Sequence, residues 1–129
     1  MGQQIQTPEV KPGKVQAVTI MLLVNGILNI LWSFGFTIAV IFGSLGIGLL
    51  CAPITLMPGV LGIFEIIAAA NLLSTPAKPV KNFQIISILE IVTIVFGNVI
   101  SMIVGILNLI LYNDIEVRSY FTELENNQQ

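Results

Sequence analysis

This sequence predicts an all-α integral membrane protein, a bundle of four transmembrane helices, and three observations carry that expectation. Hydrophobic residues make up 55% of the chain and charged residues 9%, far from the balance of a water-soluble domain. The apolar residues form runs long enough to cross a hydrocarbon core about 30 Å thick. Between Val15 and Asn113 the only charged residues are Glu65, Lys78, Lys81 and Glu90.

With 129 residues the chain is one domain by length, with room in a bilayer for three or four helices and short connections. Met1 to Lys14 is polar and interrupted by Pro8, Pro12 and Gly13, which reads as a flexible cytoplasmic tail. Val15 to Phe42 follows as an apolar run of about 28 residues, longer than a signal-peptide core and without an A-x-A-like cleavage site, as in an uncleaved anchor. Gly43, Ser44, Gly46 and Gly48 break the pattern. A second span fits Pro53 to Leu73, about 21 residues or about 31 Å of helix, with Pro53 in its first turn and a kink expected at Pro58 and Gly59.

The segment from Ser74 to Lys81 holds Pro76, Lys78, Pro79 and Lys81 and reads as a rigid basic loop. Lys11 and Lys14 flank the start of the first span, so two crossings bring both lysine pairs to one side, which the positive-inside rule makes cytoplasmic. The expected setting is a bacterial cytoplasmic membrane with the N-terminus inside.

Asn82 to Tyr112, about 31 residues, is long for one span and short for two. As one long tilted helix it would make three spans in all. Gln84, Ser87, Glu90, Thr93, Gly97, Ser101, Gly105, Asn108 and Tyr112 favour that alternative, since they recur every three or four positions as one stripe. Gly97 and Asn98 favour a hairpin, since both are turn formers at the midpoint. Past Asn113, read as an N-cap, Ile115, Val117, Tyr120, Phe121 and Leu124 have the spacing of a short amphipathic helix within 114–129, whose end is polar and frayed.

The stretch Leu111-Tyr112-Asn113-Asp114-Ile115-Glu116-Val117-Arg118-Ser119-Tyr120-Phe121 resembles the close of a loose group of small bacterial four-span membrane proteins, whose last helix runs into an Asn-x-x-Glu-Val-Lys/Arg-x-x-Phe tail. Gly26-Ile27-Leu28-Asn29 on the first span and the basic, proline-containing loop extend the likeness. The resemblance implies four spans, and so the hairpin, but no particular chemistry.

Several function classes are excluded by composition. Five Lys and Arg against seven Asp and Glu, with no basic stripe, give no footprint for nucleic acid. One cysteine, Cys51, and no histidine leave neither an internal disulfide nor the usual ligands for zinc, copper or haem, so no metal or cofactor is expected. A serine or cysteine nucleophile would lack an activating histidine, and no phosphate-binding glycine loop is present, so a non-enzyme is expected.

The informative residues are Glu65 and Glu90. Counted along the helices from the lysine loop, each lies about 12 Å deep, on antiparallel neighbours, with no lysine or arginine at that level. On the first span Asn25 lies about 15 Å and Asn29 about 21 Å from Val15, so one of these two candidate amides reaches the same layer. Desolvation and mutual repulsion disfavour two carboxylates there, so the pair is expected to hold a proton. Intramembrane carboxyls serve proton or cation transport, and they also fix helix pairing through hydrogen bonds of about 0.6–2 kcal/mol each. An echo accompanies them. Gly26-Ile27-Leu28-Asn29 recurs as Gly105-Ile106-Leu107-Asn108, and Ile63-Phe64-Glu65-Ile66 resembles Ile88-Leu89-Glu90-Ile91. Such an order arises from an inverted repeat, and equally by chance in a chain this rich in Ile, Leu and Gly.

Gly97, Ser101 and Gly105 form a small-xxx-small series that, with Asn108 and Trp32, suits close helix packing within the monomer or against a partner. The expected function is that of a non-catalytic accessory or structural subunit, assembling with itself or with other membrane-protein subunits in the lipid bilayer. A proton- or cation-translocating unit built on Glu65 and Glu90 is the alternative, and a lipid-shaping scaffold is a third.

Overall fold

The computed structural model describes residues 10–127, and the regular structure within them is entirely helical. Most of the expected tail over Met1 to Lys14 and the last two residues of the expected frayed end lie outside that range. Helix α1 spans Gly13–Gly43. It stops where Ser44 hydrogen-bonds back to the Val40 carbonyl at 2.6 Å and accepts from the Gly48 amide, while Leu45 and Gly46 turn the chain at φ 54° and 94°.

A 3-10 turn, Ile47–Cys51, and a single helical turn, α2 (Ala52–Thr55), lead into α3 (Met57–Leu73). The apolar segment is therefore longer than the expected Pro53 to Leu73. The expected kink becomes a break at Leu56, two residues before Pro58, which then occupies the first turn of α3, where its missing N–H leaves no bond unmade.

α1 and α3 run antiparallel and meet closely because glycine faces glycine. A Cβ added to Gly26 would lie 2.7 Å from the Gly62 carbonyl oxygen. Farther along, Thr37 and Thr55 join α1 to α2 through a 2.8 Å hydroxyl pair.

Helix α4 (Phe83–Val92) continues as a 3-10 turn, Thr93–Phe96, and α5 covers Val99–Tyr112. Between them the chain reverses at Gly97, in the left-handed region at φ 74°, and at Asn98, whose side chain caps α5 by accepting from the Ser101 amide at 3.1 Å. Asn82 to Tyr112 is thus not one long tilted helix. The polar stripe runs on through the turn because both arms direct it to the bundle interior. Each arm measures about 21 Å, shorter than a hydrocarbon core. Among the described residues, Gly13–Gly43 and Ile47–Leu73 are long and apolar enough to cross a membrane, and a third such span requires taking α5 with α6 across an 80° bend.

Helix α6 (Ile115–Asn126) is capped by Asp114 rather than Asn113, through a 3.1 Å bond from the Glu116 amide. It lies across the end of the bundle and buries Val117, Tyr120, Phe121 and Leu124. Phe121 stacks near Phe83 and Tyr112, with ring centroids 5.2 and 5.8 Å away. Lys14 Nζ reaches Asp114 at 2.7 Å and Glu116 at 3.5 Å, and Lys11 donates to the Leu72 carbonyl. The start of α1, the lysine loop and α6 therefore share one end of the molecule.

Candidate functional site

Glu65 from α3 and Glu90 from α4 meet in the middle of the bundle, each with no exposed surface. Their carboxyls are bridged by one amide, that of Asn25, and neither has a lysine or arginine partner among the described residues.

α1 supplies the donors. Asn29 Nδ2 reaches Glu65 Oε1 at 2.8 Å, and Asn25 Nδ2 lies 3.2 Å from Glu65 Oε2 and 3.4 Å from Glu90 Oε1. From α5, Asn108 Nδ2 donates to Glu90 at 3.0 Å, and the Ser101 hydroxyl oxygen is 3.1 Å from both α1 amides. Asn98, at the hairpin tip, donates to Asn29 Oδ1 at 2.6 Å. Ser87 takes no part, because its hydroxyl bonds the Phe83 carbonyl of its own helix.

Helical spacing explains the convergence. Asn25 and Asn29 are one turn apart on α1, and Ser101 and Asn108 are about two turns apart on the inward face of α5. Glycine lets the backbones come close enough for these short side chains to reach. Gly105 sits where a Cβ would lie 2.6 Å from the Ser87 carbonyl oxygen and 2.7 Å from Glu90 Cβ.

The echo in the sequence has a counterpart in space. Gly26 packs on Gly62, Glu65 and Ile66 of α3, and Gly105 packs on Ser87, Glu90 and Ile91 of α4. Asn29 bonds Glu65 and Asn108 bonds Glu90. α5 thus packs on α4 as α1 packs on α3, although the chain order of the two pairs is reversed rather than repeated. The two glutamates occupy equivalent places and meet where the halves join.

The structure thus brings Asn25, Asn29, Glu65, Glu90, Ser101 and Asn108 into one network. Gly105 is spent on the α4–α5 contact inside the monomer. Gly97 forms the hairpin turn. Trp32 stands at its tip, its indole N–H donating to the Phe96 carbonyl at 3.1 Å with 42% of the residue exposed. Sequence reasoning missed Gly62 and the bonding of Asn98. The first had a signal, Gly59 and Gly62 one turn apart on a span, whereas Asn98 looked like a turn residue alone.

Chemically, the site is an acidic pair dressed by amides and a hydroxyl. Two buried acceptors, Asn25 Oδ1 and Asn108 Oδ1, have no hydrogen-bond partner. Among the described residues no third acidic, cysteine or histidine side chain joins the glutamates to make a metal-binding group. Nothing matches the chain among family models, curated proteins or solved structures.

Proposed function

We propose that the chain is a small non-catalytic multi-pass membrane protein of the four-span kind, serving as an accessory or structural subunit of a homo-oligomer or a larger complex. In this reading it sits in a bacterial cytoplasmic membrane with its lysine end in the cytoplasm, and the α4–α5 hairpin forms the third and fourth membrane segments. The observation that carries it is the unequal length of the two helix pairs. The hairpin tip lies beside Trp32 and Phe36, where Phe36 meets Phe96 edge to face at 6.5 Å, but α1 goes on to Gly43. Beyond the tip, the paired outer parts of α1 and the α2 region stand without a neighbour, with Phe42 77%, Leu50 83% and Ile54 62% exposed. That is an open position for a helix of another subunit, in a protein whose own polar groups are consumed internally.

Native mass spectrometry of gently solubilised membranes tests the proposal. A defined complex that falls apart on Ile38→Asn with Phe42→Asn supports it, and a lone monomer overturns it.

A second reading, a proton- or cation-handling site, is favoured by the burial of Glu65 and Glu90 side by side without a cation, and by the two amide oxygens beside them that have no partner among the described residues. Proton and sodium flux into vesicles holding the purified protein tests it. Flux that is lost in Glu65→Gln and Glu90→Gln supports it, and absence of flux in the native protein ends it.

A further inference from the structure

The seam between α3 and α4 differs from the others. α3 packs chiefly on α1 and α4 chiefly on α5, so toward the lysine loop the two helices stand apart over a groove of about 350 Å³. Ala68 and Ile86 form its buried floor, and Phe64 and Ile67, both more than half exposed, form its outer wall. Lys78 and Lys81 line its mouth.

The loop holds those lysines in place. Val80 between them is 5% exposed and anchored in the core, and the Lys78 amide donates to the Asn71 carbonyl at 2.8 Å. Neither ammonium has an acidic or hydrogen-bonding partner among the described residues, although the chain carries a net charge of -2. Of the acids on and beside α6 at this end, Asp114 and Glu116 engage Lys14, and Glu123 and Glu125 form no ion pair with either loop lysine.

We infer that this groove is a binding site for an anionic phospholipid, its phosphate between Lys78 and Lys81 and an acyl chain running down past Ile67 and Phe64. Two unneutralised lysines at a membrane surface attract an anionic headgroup, and each contributes about 1 kcal/mol at the leaflet where such lipids are held. Lysines that served only to orient the chain would need no apolar slot beneath them. A free phosphate would use the lysines and leave the slot empty, whereas a lipid fills both. The inference rests on the membrane setting but not on the subunit reading, since a monomer can carry the lipid.

Purified full-length protein in neutral detergent, mixed with equal phosphatidylglycerol and phosphatidylcholine, is examined by native mass spectrometry. A preference for phosphatidylglycerol of about 10- to 30-fold is expected, as two lysines acting together give. Lys78→Gln with Lys81→Gln should abolish it, while Arg118→Gln, at the same end but outside the groove, should leave it intact. Ile67→Ala with Phe64→Ala should weaken retention of the lipid without changing that of glycerol phosphate. Equal retention of the two lipids, an unchanged preference in the double lysine variant, or complete displacement by millimolar inorganic phosphate would each overturn the inference. Unaltered thermal melting of each variant keeps loss of binding distinct from loss of fold.

Discussion

The Asn25 amide nitrogen, with two N–H donors, lies within reach of Glu65, Glu90 and the Ser101 hydroxyl, and so links α1 to three helices at one point. Asn25→Leu leaves buried carboxyl oxygens without that donor and is expected to lower stability by about 1–3 kcal/mol. If the pair holds a proton, Glu65→Gln should cost less than about 1 kcal/mol, because its amide then replaces the hydrogen given to Glu90. Unfolding in mixed detergent micelles measures both, and equal losses would contradict a protonated pair. Gly26→Val drives methyl groups toward the Gly62 carbonyl and the Ile66 side chain, a backbone clash with little room to relax, and about 1–3 kcal/mol of destabilisation is expected in the same assay.

At the scale of elements, α6 is tied to the bundle by apolar packing and by the exposed ion pairs of Lys14 with Asp114 and Glu116, whose strength depends on pH. The hydrogen bond from Lys14 holds the Asp114 carboxyl below its ordinary range, and Asp114 in return raises the Lys14 ammonium. Because the folded-state value of Asp114 is depressed, its contribution is complete above about pH 4 and is lost as the pH falls through the depressed value. For Lys14 the direction is opposite, and the contribution is lost only as strongly alkaline pH passes its raised value. The protection of α6 amides should therefore fall below about pH 4 while α1 and α3 stay protected, and Lys14→Gln should weaken that dependence and leave the part that the Asp114 cap carries. Much of this level was readable in advance. Apolar length and the glycines after Phe42 predict α1 and its end, and the spacing of Val117, Tyr120, Phe121 and Leu124 predicts the buried face of α6. Asn82 to Tyr112 was ambiguous for a physical reason. A polar stripe lines a bundle interior equally well from one helix or from two arms of a hairpin, and only the left-handed turn at Gly97 separates them. The meeting of Glu65 with Glu90 followed from depth alone, but the angular position that adds Asn98 and Asn108 depends on the hairpin and so was hidden.

For the whole molecule, Cys51 stands exposed at the end opposite the lysine loop. In oriented vesicles a membrane-impermeant maleimide should label Cys51 from one face only, and Ser119→Cys in a Cys51→Ser background from the other face only. Labelling of both from the same face would refute the bundle's placement across the bilayer. The short arms of the hairpin also bear on how the chain is built. α1 and the segment Ile47–Leu73 are made first, are long enough to enter lipid by themselves, and bring Asn25, Asn29 and Glu65 together before α4 exists. The later arms are too brief to be held by hydrocarbon alone and carry an acid that lipid repels. If they are the third and fourth membrane segments proposed above, their place in the bilayer depends on a half-finished polar seat that the earlier helices already present, and synthesis order becomes part of the design: the hairpin is received by the protein more than by the membrane.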